Sequence, residues 1–109
     1  DIAVLGKIVH EANAVFLVDA SQSVAHQKIN VQKLNCDFLV FSGHKLFGPT
    51  GIGVLYAHSK WHKSFKPFSF GGGVIFEVEY SKAMYKNFPY VFYTMVLHIF
   101  QLYSLFYFL

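Results

Sequence analysis

Two short apolar runs, each halted by polar residues, constrain this chain more than any other feature. Val15 to Val18 is unbroken and stops at Asp19, and Asp37 to Phe41 repeats the pattern, stopping at Ser42 and Gly43. Runs this short and this apolar read as strands buried on both faces of a parallel sheet. Between them lie a polar connection, Ser21 to Asn30, and a short helical turn near Val31 to Leu34. Ahead of the first run, Ile2, Val4, Leu5, Ile8, Val9 and Ala12 recur at helical spacing, and Asn13 tolerates a left-handed cap, so a helix is expected over 2–12. Thr50, Gly51 and Gly53 flex the chain into a third strand, Ile52 to Tyr56, and Ser59 reads as the N-cap of a helix through Trp61 to Lys63. Strands alternating with helical segments predict an α/β fold. In open sheets of that kind ligands bind beyond the carboxyl ends of the strands, which is where Asp19 and the segment from Ser42 to Lys45 fall.

Composition narrows the function. At 109 residues the chain has room for one domain or part of a larger one, and 54% hydrophobic against 14% charged residues excludes a disordered polypeptide. A net charge of +3, with basic residues that come singly, gives no surface for nucleic acid. One cysteine forms no internal disulfide, and no charged segment followed by an apolar one opens the chain, so a cytoplasmic, reducing location is expected. The chain begins at Asp1, mid-pattern, and is expected to be a fragment.

Polar groups cluster after the two apolar runs: Asp19 and Gln22 after the first, Ser42, His44 and Lys45 after the second, with Gly43 and Gly48 allowing close backbone approach. Such a gathering suggests an aldehyde cofactor. The segments VDASQSVAH (18–26) and DFLVFSGHKLFGPTGIG (37–53) resemble the pyridoxal-phosphate segments of class V aminotransferases, nearest to the cysteine desulfurase branch of the SufS type. The resemblance runs from about Ile2 to Phe92, and the SGHK and GPTG combination is specific where SxHK alone would be weak.

The resemblance implies a fragment of the large domain of a type I pyridoxal-phosphate enzyme, with a mixed, mostly parallel sheet flanked by helices. Carried over by position, Lys45 matches the lysine that bonds to pyridoxal 5′-phosphate and then moves protons, and Asp19 matches the carboxylate that keeps the pyridine nitrogen protonated. Gln22 matches the donor to the cofactor's phenolate oxygen, while Ser42 and His44 match two phosphate ligands. The implied reaction takes L-cysteine to L-alanine and leaves sulfur as an enzyme persulfide for iron–sulfur cluster assembly. It implies a homodimer and a sulfur acceptor protein. Transamination and selenocysteine lyase chemistry are alternatives on the same fold.

Other residues are read more plainly. The family's persulfide cysteine lies far downstream, whereas Cys36 falls at the start of a buried strand and reads as a small packed hydrophobe. His58 and His62 are four apart, but no further ligand is suitably spaced, so no metal site is expected. The triplet Gly71 to Gly73 matches a loop near the family's active-site mouth and subunit contact. Since the resemblance covers about a quarter of a family member and lacks its substrate-clamping arginine, the chain alone is not expected to turn over.

The composition breaks near Asn87, after which no Asp, Glu, Lys or Arg occurs. The chain is accordingly divided into a partial large domain, 1–92, and an apolar tail, 93–109. From Val91 to Leu109, 15 of 19 residues are apolar, long enough to cross a bilayer. Family members continue after a phenylalanine like Phe92 with an acidic residue and Gly-Thr-Pro, where this chain reads YTMVLHIF. Codons for Thr94 to His98, read two bases later, allow Asn-Gly-Thr-Pro-His, so the tail is expected to be out-of-frame translation. The other reading is a genuine membrane anchor on a non-catalytic remnant. Evenly scattered aromatics and the lack of flanking basic residues stand against it.

Overall fold

The computed structural model describes residues 1–68 and 70–92. The tail expectation, residues 93–109, lies outside the described residues. Those described fall into two compact units, residues 1–58 and 59–92.

The first unit opens with helix α1 (Ile2–Glu11), whose N-terminus is capped by the Asp1 carboxylate accepting from Ala3 N at 2.9 Å. Asn13, just beyond it, takes the left-handed conformation, φ 54°, that its short polar side chain tolerates. Strand β1 (Leu17–Asp19) follows, then a polar connection and the one-turn helix α2 (Val31–Leu34), capped by Asn30 accepting from Lys33 N. Strand β2 (Phe38–Ser42) pairs parallel with β1 and antiparallel with β3 (Gly53–Ala57), giving the order β1-β2-β3. The α/β class and the parallel pairing of the two apolar runs are thus as expected, with strand bounds within two residues of those read from sequence.

Burial departs from expectation. Register places Val18, Leu39 and Tyr56 on one face, where Val18, Ala20, Cys36 and Leu39 form the core, with Phe16, Ile29, Val31, Leu34 and Phe41 packed around it. The opposite face carries Leu17, Asp19, Phe38, Val40, Ser42 and Leu55. Leu17 and Leu55 there are 54% and 47% exposed, Phe38 and Val40 are half-buried and Ala57 is buried, so the second face is covered only in part. The apolar stripe of α1 is exposed as well, because the helix packs through Gly6 and leaves Val4, Leu5 and Ile8 outside.

Gly6 is required by close approach. A Cβ there would stand 3.0 Å from the Phe16 ring and 3.3 Å from the Leu34 carbonyl oxygen. Alanine would gain about 1 kcal/mol of helix propensity, but overpacking against a ring and a fixed backbone oxygen costs about 1–3 kcal/mol. The clash wins. Gly6→Ala is expected to lower the urea midpoint by an amount equivalent to about 1 kcal/mol.

The second unit holds a 3₁₀ helix at Ser59–Ser64, a hairpin of β4 (Ile75–Glu79) and β5 (Lys82–Tyr85), and a 3₁₀ turn at Tyr90–Phe92. The helix expected from Ser59 is therefore the tighter kind, and the hairpin was not read from the sequence. His62 stacks on Phe88 with ring centroids 3.9 Å apart, Phe65 stacks on the same ring, and Val74 and Val91 are buried. Among the described residues no helix is long and apolar enough to cross a membrane, and no three His, Cys, Asp or Glu side chains gather as metal ligands.

Candidate functional site

The carboxyl ends of β1 and β2 lie at the same end of the sheet because the two strands run parallel. Asp19 is opposite Val40, so Ser42, two residues further along β2, shares its face. Strand geometry sets their Cα atoms about 8 Å apart. Asp19 ends its strand exposed, with Oδ1 accepting from Ser21 N at 2.9 Å. Hydrogen bonding by Ser21, through its side chain and its backbone N–H, holds the Asp19 carboxyl below the usual carboxylate range. An exposed carboxylate is ionised at neutral pH in any case, and these hydrogen bonds favour its charged form further.

Beyond Ser42 the chain turns into a 3₁₀ helix, Gly43–Leu46, which carries His44 and Lys45 exposed just past the strand end. Backbone hydrogen bonds fix this turn at both ends. Gly43 N donates to Ile52 O at 2.8 Å, and Gly48 N returns to Gly43 O at 2.9 Å. Phe47 caps the turn in the left-handed region, φ 57°, an unfavourable conformation for an aromatic residue, and is 84% exposed. Gln22 lies exposed in the turn after β1.

All five residues singled out from the sequence therefore belong to the two segments that leave the carboxyl ends of β1 and β2. Asp19 and Ser42 are brought to one face, and His44 and Lys45 follow Ser42 within one turn. Chemically the set offers a persistent anion, an exposed primary amine, a hydroxyl, an imidazole and an amide. A groove of about 310 Å³ lies elsewhere, on the helix-covered face, with Ile2, Val18, Ile29, Leu34 and Leu39 among its walls, and none of the five lines it.

Two buried groups lie away from these five residues, Cys36, which is buried as expected, and Asp37, whose burial was missed. Cys36 is 1% exposed within the core, and burial pushes its thiol pKa up, with the neighbouring Asp37 charge adding to the rise. A raised, buried thiol is a poor nucleophile, in keeping with its reading as a packed hydrophobe. Asp37, taken from the sequence only as the first residue of a strand, is also 1% exposed. Its Oδ2 accepts from Phe16 N at 2.8 Å and lies 3.0 Å from His10 Nε2. A carboxylate directly before an apolar run, with a histidine on the preceding helix, was the available signal.

Comparison with known proteins bears on the family and the fold. The family model described as Aminotransferase class-V matches residues 1–108. A probable cysteine desulfurase of Pyrococcus abyssi is 52% identical over 80 residues, 72% of this chain and 20% of that protein. Another, of Halalkalibacterium halodurans, is 46% identical over 88 residues, 81% of this chain and 22% of its own. Among solved structures, a cysteine desulfurase of Escherichia coli in an S-sulfonic acid form superposes with a TM-score of 0.90 at 35% identity, covering 96% of this chain and 26% of that one. The apo cysteine desulfurase of Thermococcus onnurineus gives 0.79 at 44% identity, over 87% and 24%. The chain thus spans about a fifth of the length of these curated relatives and about a quarter of the solved structures.

Proposed function

Because the chain belongs to the class V aminotransferase family, we propose that it carries the cofactor-binding segment of a pyridoxal-phosphate-dependent cysteine desulfurase, the activity named for its relatives. The complete reaction would break the C–S bond of L-cysteine, release L-alanine and pass the sulfur to an enzyme thiol as a persulfide. The sulfur would then move to an acceptor protein for iron–sulfur cluster assembly, with the complete enzyme acting as a homodimer. The observation that carries the reading is the shared face and shared end of Asp19 and Ser42, followed within one turn by Lys45.

The donor set fits pyridoxal 5′-phosphate. When bound, the cofactor supplies an electron sink that lets bonds to the amino acid's α and β carbons be made and broken. Asp19 presents a permanent anion to the ring nitrogen, and Gln22 an amide donor to the ring oxygen. Ser42 and His44 supply a hydroxyl and an imidazole N–H to the phosphate, each a donor facing an anion. Lys45 would supply the amine that holds the aldehyde, and its Nζ would hold and return a proton. Cys36 has no part in sulfur transfer, being buried in the core with a raised pKa. The sequence contains no arginine, so the substrate carboxylate would be clamped by residues outside it.

Titration of the full chain with pyridoxal 5′-phosphate, followed by absorbance, tests the reading. Asp19→Asn is expected to weaken binding about tenfold, through loss of a charge-assisted contact. The sign of the pH effect follows from the depressed carboxyl. Asp19 stays ionised down to pH values below its ordinary 3.8, so titration of this carboxyl should not change the affinity difference between the native chain and Asp19→Asn above about pH 5. It should disappear only in stronger acid, and Ser21→Ala should move that fall upward. An unchanged affinity in Asp19→Asn would remove the carboxylate from the site.

A further inference from the structure

The end of the sheet opposite the candidate site holds a buried carboxylate that the cofactor chemistry does not use. Asp37 Oδ2 accepts the backbone N–H of Phe16 at 2.8 Å, while Phe16 O accepts from Asp37 N at 2.9 Å and from Phe38 N at 3.2 Å. Side chain and backbone of one residue thus grip the residue directly before the neighbouring strand. His10, reaching down from α1, places Nε2 3.0 Å from Asp37 Oδ2. Asn35 Nδ2 stands 3.4 Å from His10 Nδ1, and the imidazole meets the Phe16 ring edge-on at 6.4 Å. With the Asn35 amide as donor, Nδ1 accepts and Nε2 carries the proton given to Asp37.

Burial fixes which face of this segment turns inward through Val18 and Ala20, but over a short stretch of chain. Strand β1 has three residues, and only its middle one, Val18, is buried. A slip by one residue would turn Val18 to the open face and carry Asp19 into the core face, away from Ser42. We propose that Asp37, oriented by His10, is the register lock of the β1–β2 pair, and so a positioning residue for Asp19 at the far end of the same strand. Its consequence for cofactor binding rests on the function proposed above; the lock itself does not.

Nuclear Overhauser contacts in the isotope-labelled full chain without cofactor test the lock. In Asp37→Ala the Asp19–Val40 and Val18–Leu39 cross-strand contacts should fall about fivefold or more, while Val40–Leu55, between β2 and β3, stays within about twofold. His10→Phe should give a smaller loss of the same pattern. Native β1–β2 contacts in both variants would overturn the proposal. So would equal loss of all three contacts, which would make Asp37 a general stabiliser of the fold. A second arm adds pyridoxal 5′-phosphate. Asp19 and Asp37 lie about 10 Å apart along the strands, where unlinked substitutions ordinarily add. The Asp19→Asn/Asp37→Ala pair is instead expected to bind within about twofold of Asp19→Asn alone, and additive losses would overturn the positioning role. A native chain that binds no pyridoxal 5′-phosphate would sink the cofactor reading, and the cross-strand contacts would still decide the lock.

Discussion

Replacing Lys45 with alanine should abolish the visible absorbance band that the chain develops with pyridoxal 5′-phosphate. The sequence has nine lysines, and any of them can react with an aldehyde at high concentration. What sets Lys45 apart is position. It sits on the 3₁₀ turn directly after the carboxyl end of β2, which hydrogen bonds at Gly43 hold to Ile52 and Gly48. It also follows Ser42, which shares a face with the anionic Asp19. Phosphate donors and a ring-nitrogen partner that are already placed raise the effective concentration of the aldehyde at that one amine. Lys45→Ala should therefore weaken apparent affinity by about a hundredfold, and Lys45→Arg should do the same, because a guanidinium stays protonated and is not a nucleophile. Equal band intensity in either variant would assign the signal to surface lysines.

Leu39→Ala should give the largest loss of stability. Leu39 is 3% exposed and lies between Val18 and Tyr56 in the register of the core face. Removing a buried leucine side chain costs about 2–5 kcal/mol, a large share of the roughly 5–15 kcal/mol that holds a domain together. The matched control is Leu55→Ala on β3. Leu55 faces the opposite side and is 47% exposed, so its truncation should cost less than about 1 kcal/mol. Urea denaturation of the two variants side by side measures the asymmetry between the faces. Similar losses would mean that the outer face is covered as well.

The pattern of success in reading the sequence has physical causes. The strands over 17–19, 38–42 and 53–57 were legible because unbroken apolar runs bounded by Asp19, Ser42 and Gly53 allow few other structures. Helix α1 was legible as a helix, but the choice of its buried side was not. Hydrophobic spacing offers Ile2, Val4, Leu5, Ile8, Val9 and Ala12, while the close approach is made at Gly6, whose missing Cβ admits the Phe16 ring. A glycine contact leaves no mark in an apolar pattern. The hairpin β4–β5 escaped for a related reason. The alternation of Phe76, Val78 and Tyr80 with Glu77 and Glu79 was present, but the turn at Tyr80 and Ser81 lacks glycine or asparagine, and a register shift between Ile75 and Glu77 breaks the pairing. Asp37 was hidden by its neighbours, since a carboxylate beside an apolar run reads as a strand boundary until His10 and Phe16 N are seen beside it. The candidate site was legible because all five of its residues come from two contiguous segments, whereas the Asp37 cluster assembles residues 27 apart.

The proposed cofactor chemistry requires that the fold single out one amine. Reduction of the chain and pyridoxal 5′-phosphate with borohydride, followed by peptide mass mapping, reads this directly. At stoichiometric cofactor, the mass of one reduced pyridoxyl phosphate group should appear on the peptide containing Lys45, and in Asp19→Asn at limiting cofactor its yield at that position should fall by up to about tenfold. Modification spread evenly over the nine lysines, or concentrated on any lysine other than Lys45, would contradict it.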